Sequence, residues 1–515
     1  MLVVQEFAPP TVDVAAILPI VLTLGAAVLA VLVDAFAPTG RRMIINATLS
    51  AVVLAVSFGW AIVRIGGEPV VTFNGAVAVD GPALFAQAAI ALFALLSVLL
   101  YTERRLDPSG DAFTPAGSVM PGSETERVLT MQRVQQTEVY ALTLFATGGM
   151  MTFVVSNDLL TMFVALEVLS LPLYLLSSLA RRRRLLSQEA GMKYFLLGAF
   201  ASAFFLYGAA LVYGATGSLN LAEIDAGISG RVGVDTMLLV GMGLLAVGLL
   251  FKISAVPFQF WTPDVYQGAP TPVTGFMAAA TKAAAVVALM RVFYVGLGGL
   301  VEDWTLLLWV IAAVTMLLGS VLALTATDVK RMLAYSSIAH AGFLLVGIVA
   351  ASPDGTAAVL FYLLAYGITT IGAFAVVSLV RDAGGEATHL SQWAGLGRRS
   401  PLTASVFALF LLSFAGIPLT SGFIGKLTVF SAAFDSGEWA LVVIGLLASA
   451  IAAFFYVRVI VLMFFSEPSD PAASVGVPGA GTTAVITVAA VLTVILGVLP
   501  GPVLDLALLA SEFVR

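Results

Sequence analysis

The chain has 515 residues, of which 60% are hydrophobic and 10% charged, with a net charge of −6 and no cysteine. A soluble domain carries about 25% charged residues, so this chain has too little polar surface to cover itself in water, and lipid must be much of its solvent. The composition excludes cysteine-ligated iron–sulfur clusters and thiol catalysis, and His340 and His389 lie too far apart in sequence for a histidine-rich metal site.

A membrane span needs roughly 20 apolar residues to cross about 30 Å of hydrocarbon, and in lipid a helix satisfies its own backbone. No Lys or Arg precedes Arg41, unlike the positive start of a secretory signal, so the first apolar run is read as a retained span. Taken in order, such runs lie near 16–37, 43–63, 81–101, 138–156, 159–180, 189–214 and 237–261. They continue near 273–295, 304–326, 330–350, 356–380, 402–434, 440–465 and 482–511. The reading is an all-α integral membrane protein of about 14 transmembrane helices. The stretch 102–137 is polar and rich in Gly, Pro and Ser, and reads as a flexible loop or one that orders on docking, with no room for a soluble catalytic domain.

Orientation follows from Lys and Arg placement. Fifteen of them share one side: Arg41, Arg42, Arg104, Arg105, Arg127, Arg133, Arg181, Arg182, Arg183, Arg184, Lys330, Arg331, Arg381, Arg398 and Arg399. The other side has three, Arg64, Arg231 and Arg515. The bias places the first set in the cytoplasm and both termini outside.

Of 24 basic residues, 19 are arginine and five lysine, and the two are used differently. Lys252, Lys282 and Lys426 fall well inside apolar spans, Lys193 lies a turn and a half into another, and Lys330 reads as a loop residue. Arginine keeps its proton in practice, whereas a buried lysine releases one readily. A lysine at a helix centre costs about 2.5–3.5 kcal/mol, so three of them need compensation from water, counter-ions or helix ends. Glu167 is a mid-span acid able to hold a nearby lysine charged and, by withdrawing, to release it. Lys193 is placed to snorkel to the surface, with a proton role as the competing reading. Arg291 and Arg458 read as snorkelling or helix-pinning residues, and Asp264 as tying down a turn. His340, mid-span, is a relay candidate or a hydrogen-bonded packing residue.

Pro257 lies five residues after Lys252, and Pro418 eight before Lys426. Proline breaks a helical hydrogen bond, and interrupted spans in corresponding halves point to an ion site in transporters.

Three segments carry a resemblance. The first runs from Phe251-Lys252-Ile253-Ser254-Ala255-Val256-Pro257 through Trp261-Thr262-Pro263-Asp264-Val265-Tyr266-Gln267-Gly268-Ala269-Pro270-Thr271-Pro272-Val273. The second is Asp328-Val329-Lys330-Arg331-Met332-Leu333-Ala334-Tyr335-Ser336-Ser337-Ile338-Ala339-His340, and the third joins Gly416-Ile417-Pro418 to Gly422-Phe423-Ile424-Gly425-Lys426. Together they resemble the antiporter-like subunits of respiratory complex I, the N type in particular, and those subunits are similar to the large subunits of Mrp sodium–proton antiporters. Lys426 stands where the M type carries glutamate, and the chain lacks the long lateral helix expected of the L type.

The resemblance implies fourteen helices with two inverted five-helix repeats and two broken helices. The expected divisions are 1–137 (three helices and a loop), 138–295 and 304–465 (the repeats), and 466–515 (a loop and the last helix). It implies a proton path through Glu167, Lys252, Lys282 and Lys426, to which the reading of the residues adds His340 and Lys193 as lesser candidates. It implies a bacterial inner-membrane subunit with no cofactor of its own, flavin, iron–sulfur clusters and quinone belonging to partners. Expected partners are the M subunit, small membrane subunits and lipid, without nucleic acid. An Mrp-type antiporter subunit is the alternative.

Overall fold

Among the described residues of the computed structural model (12–107, 110–132, 134–229, 235–382, 384–468 and 473–514) thirteen helices are long and apolar enough to cross a membrane. They begin with α1 (Leu18–Phe36), α2 (Thr39–Arg64), α3 (Gly81–Tyr101), α4 (Glu138–Val155), α5 (Leu159–Ser177), α6 (Arg184–Thr216) and α7 (Thr236–Ile253). After the short α8 (Trp261–Gly268) come α9 (Thr271–Gly296), α10 (Val301–Thr325), α11 (Val329–Val349) and α12 (Pro353–Leu379). The paired α13 (Pro401–Ala415) and α14 (Ser421–Asp435) make one further, broken crossing before α15 (Trp439–Phe465) and α16 (Ala480–Val498). Of the charges used for orientation, Arg133, Arg231 and Arg515 lie outside the described residues.

All these helices are apolar, so hydrophobicity alone does not say which lie inside. The interior is set by small and polar residues that let helices approach and pair. α9 is wholly buried, and α3, α11 and α12 nearly so. α15 and α16, by contrast, expose large side chains such as Leu446, Phe454, Val491 and Ile495 to the lipid side. Gly319 shows the close approach: a Cβ there would stand 2.6 Å from the Ala339 nitrogen, so only glycine lets α10 lie this tightly on α11.

The same local devices occur twice along the chain. Asp158 caps α5 through Leu160 N and Thr161 N, both at 2.9 Å. Asp328 caps α11 through Lys330 N and Arg331 N at 2.9 and 3.0 Å. Two helices then break at a left-handed residue: α7 at Ser254 (φ 68°) and α13 at Gly416 (φ 82°). Backbone groups freed at the first break are taken up locally, since Val256 N donates to Thr315 Oγ1 at 3.0 Å and Trp261 Nε1 to Phe251 O at 3.0 Å. At the second, Gly422 N donates to Ser413 Oγ at 3.1 Å.

Four sequence expectations are corrected. The run 237–261 is not one helix, because α7 stops at Ile253, where the left-handed Ser254 turns the chain. The run 482–511 divides at Leu499-Pro500 into α16 and a short helix, Gly501–Leu509. The stretch 102–137, expected to be flexible or to order on docking, is pinned within this chain. It carries a helix at Glu124–Met131, and its acids meet the tetra-arginine: Arg181–Asp111 at 2.6 Å, Arg182–Asp107 at 3.0 Å and Arg184–Glu126 at 3.2 Å. Lys330 is not a solvated loop residue but a buried one in the first turn of α11, its Nζ donating to Ala269 O at 2.8 Å.

Candidate functional site

Lys252, Lys282, His340 and Lys426 are 2–5% exposed and share the interior. The breaks and a π turn explain how each is presented.

Lys252 is the last residue but one of α7, just before the Ser254 break. Its Nζ has no hydrogen-bond partner among the described residues and lies 5.5 Å from the ring centre of Tyr174 and 5.2 Å from that of Tyr194. The ring faces hold an ammonium weakly. Glu167 on α5 makes no ion pair with Lys252, and its buried Oε1 likewise has no hydrogen-bond partner among the described residues. Glu167 is half-buried and borders a stripe of exposed apolar residues on α5: Leu160, Val164, Leu171 and Leu175.

Lys282 follows a π turn, Met277–Thr281, inside α9. Such turns widen a helix locally and recur at functional sites. Its Nζ donates to Ser337 Oγ at 2.8 Å and to Ser337 O, and stands 5.3 Å from the Tyr366 ring centre. Tyr266 and Tyr366 both approach the Ser337 hydroxyl.

His340 sits between Lys282 and Lys426. Its Nδ1 is 2.6 Å from Tyr362 Oη and its Nε2 is 3.3 Å from Tyr456 Oη, which also pairs with Ser336. The imidazole lies 4.9 Å from the Tyr366 ring and 5.4 Å from the Phe414 ring. It is therefore both packed and fully hydrogen-bonded, within a cluster of hydroxyls that reaches Lys282.

Lys426, on α14, folds back to the end of α13. Its Nζ donates to Phe414 O at 2.9 Å, Ala415 O at 3.1 Å and Ser449 Oγ at 2.8 Å. The first two are the last carbonyls of α13, where unpaired acceptors and the helix dipole favour a cation. The second break thus makes a seat for the lysine, which is why the lysine can follow the break there and precede it in α7.

Lys193 is not brought to this row. It is partly exposed and pairs with Glu189 at 2.6 Å and Asp264 at 2.7 Å. Asp264 also pairs with Arg331 at 2.9 Å, so it ties α8 to α6 and α11. Arg291 pins rather than snorkels: it is fully buried, 2.6 Å from Asp80 and 3.0 Å from Val154 O. Arg458 donates to Leu324 O at 3.0 Å from an exposed position.

The sequence reading omitted the tyrosines. Tyr362 and Tyr366 sit one helical turn apart inside a long apolar run, and Tyr174, Tyr194 and Tyr456 are also mid-span. A polar ring tip inside an apolar run was the available signal.

Fold and site together define a polytopic membrane protein with a row of ionisable groups through its interior, the architecture of an ion-translocating unit. The chain belongs to the family described as NADH:quinone oxidoreductase/Mrp antiporter, TM, which matches residues 156–452. It is 54% identical to NADH-quinone oxidoreductase subunit N 3 of Streptomyces griseus, over 99% of this chain and 96% of that one. It is 55% identical to NADH-quinone oxidoreductase subunit N of Rhodococcus opacus, over 98% and 97%. Among solved structures, a chain of respiratory complex I from Thermus thermophilus with bound aureothin matches with a TM-score of 0.76 at 36% identity, over 96% of this chain and 100% of that one. A chain of the Mrp complex from Dietzia matches with a TM-score of 0.78 at 22% identity, over 97% of that chain and 96% of this one, a likeness of fold alone.

Proposed function

We propose that the chain is a proton-translocating membrane subunit of a bacterial NADH–quinone oxidoreductase, of the N type, driven by redox chemistry in its partners. The observation that carries this is the interior row: three buried lysines and His340 among hydroxyls, with the Lys252 amine and Glu167 Oε1 both without a hydrogen-bond partner among the described residues. The Mrp-type alternative is less supported, because the relatives above half identity are named as subunit N and the Mrp match is one of fold.

In this reading Glu167 holds Lys252 charged when near and frees its proton when drawn away. An unbonded amine answers such a change more readily than one tied by hydrogen bonds. Lys282 hands protons through Ser337, Tyr366 and His340 toward Lys426, whose carbonyl seat holds the charged form. Arg-rich loops face the cytoplasm and both termini lie outside. Segments 138–295 and 304–465 are the two repeats, each with five crossings. An odd number sets the second unit off from the opposite side, which makes the pair inverted. Segments 1–137 and 466–515 flank them. The apolar stripe beside Glu167 meets the neighbouring M-type subunit, other surfaces meet small membrane subunits and lipid, and flavin, iron–sulfur clusters and quinone belong to partners.

The test replaces Lys252 or Lys426 with Arg in the assembled complex. Arg keeps the charge and much of the apolar stem but does not give up its proton. Proton uptake by inverted vesicles fed NADH, per assembled complex, is expected to fall nearly as far as with Ala. Normal uptake in both Arg variants beside failure in both Ala variants would leave the lysines as fixed charges.

A further inference from the structure

A cavity of about 80 Å³ lies beneath the 102–137 segment, walled by Arg181, Arg182 and Arg183 and floored by the starts of α9 and α11. That volume holds several waters. Most of its arginines are paired with acids: Arg181 with Asp111 at 2.6 Å, and Arg182 and Arg381 with Asp107 at 3.0 and 2.8 Å. Arg183 donates to neutral oxygens, Thr388 Oγ1 at 2.8 Å and Glu386 O at 3.2 Å.

Its floor is different. Glu386, with its side chain 21% exposed, reaches the cavity from the turn after α12. Its Oε2 accepts a hydrogen bond from Thr271 Oγ1 and stands 3.8 Å from the buried Nζ of Lys330. Lys330 is anchored by Ala269 O and opens α11, the helix that carries Ser337. From Lys330 to Ser337 is seven residues, about 10 Å along the helix. Thr271 likewise opens α9, the helix that carries Lys282. Both helices thus begin at the cavity floor and are joined further in by the Lys282–Ser337 hydrogen bond.

We propose that this cavity is the proton intake of the interior row and that Glu386 is the group that accepts the proton there. The proposal rests on the relay reading above. The Glu386 carboxylate takes a proton from a hydronium ion in the cavity, leaving water and a neutral carboxyl. The carboxyl then gives the proton, by way of intervening water and hydroxyls, to the neutral amine of Lys282, which becomes an ammonium while the carboxylate is restored. Lys330 and Thr271 position the carboxylate at the mouth. While it is charged, Lys330 holds it; once neutral, that attraction is gone and the group can turn inward.

The test uses the assembled complex in inverted vesicles, with Glu386→Gln, Glu386→Asp and Lys282→Arg, and reads NADH-driven proton uptake per complex with and without millimolar formate as a small diffusible proton donor. Glu386→Gln is expected to assemble and to lose about ten-fold, less than the 10²-fold a positioned proton-transfer group can supply, because cavity water still carries some protons. Glu386→Asp stays within about two-fold. Formate raises uptake in Glu386→Gln and leaves Lys282→Arg unmoved. A structural role for Glu386 predicts no formate effect, so loss without rescue overturns the proposal, as does unchanged uptake in Glu386→Gln. If Lys282→Arg itself pumps normally, the relay reading has failed; if only Glu386→Gln pumps normally, the intake alone was misassigned.

Discussion

Asp80 and Arg291 form the most deeply buried ion pair among the described residues, at 2.6 Å with side chains 1% and 0% exposed. It joins the start of α3 to the far end of α9 and holds the C-terminal segment as well, since Asp80 Oδ2 accepts from Val514 N at 3.1 Å and the Arg291 guanidinium lies 5.1 Å from the Phe513 ring. Asp80→Asn tests whether this charge is structural. Asparagine keeps the shape and caps helices about as well as aspartate, so the bond to Ala83 N (3.2 Å) survives and no capping loss need be counted. What is lost is the charge: the retained oxygen still accepts from Arg291 Nη2, while Val514 N now faces the amide nitrogen and the buried guanidinium has no counter-charge. Removing one partner of a buried pair costs about 3–5 kcal/mol, a large share of the roughly 5–15 kcal/mol that holds a domain together. The detergent-solubilised complex carrying Asp80→Asn is expected to unfold at a clearly lower temperature, while proton uptake per surviving complex stays near normal. Combining Asp80→Asn with Arg291→Met removes both charges and recovers much of the loss. An unchanged unfolding midpoint in Asp80→Asn, or a double variant worse than the single, would refute the reasoning; uptake lost in proportion beyond assembly would make the pair part of the proton path.

Gly416→Ala is expected to cost about 1–2 kcal/mol for a left-handed alanine and to lower uptake, because its Cβ would stand 3.0 Å from Lys426 Cδ and 3.5 Å from Nζ. Gly437→Ala, at φ 89° with open space around its Cβ, carries similar strain and is expected to leave uptake per complex unchanged; equal loss in both would assign the effect to strain alone. Glu167→Gln keeps the shape of the side chain and removes its charge, so assembly is expected to persist while NADH-driven uptake falls. Full uptake would reduce Glu167 to a packing residue.

Much of the fold was legible because lipid makes the code simple. A run long enough to cross must be apolar, so the spans stand out as long apolar runs. The misses came where a helix stops for a reason hydropathy does not register. α7 ends at Ser254 because that residue turns left-handed and Trp261, ten residues after Phe251, returns to cap its carbonyl. Apolar residues continue past the stop, so the run looks unbroken. Lys330 was misread for a related reason: its place next to Asp328 and Arg331 looks like a loop, and only the return of Ala269 buries it. Lysine depth was readable, but lysine surroundings were not. The partners of Lys282 and Lys426 come from Ser337 and Ser449, 55 and 23 residues away.

The buried basic groups divide by chemistry. Arg291, which keeps its proton, is clasped by a carboxylate, a carbonyl and a ring. Among the described residues none of the three buried span lysines pairs with an acid within 4 Å: Lys252 has no hydrogen bond, and Lys282 and Lys426 rest on neutral oxygens. A fixed charge needs a counter-charge, because an uncompensated ion in a low-dielectric interior is costly. A group that exchanges its proton must not be held in either state too firmly. Neutral hydroxyls and carbonyls serve this better than a carboxylate in contact, since they accept from an ammonium without trapping it. Under the proposed reading the acid that acts on the row is Glu167, which makes no ion pair with Lys252 among the described residues and borders the exposed apolar stripe of α5, so its influence is adjustable. The same sorting distinguishes Lys330, whose carboxylate Glu386 lies at 3.8 Å at the cavity mouth, from the lysines further in.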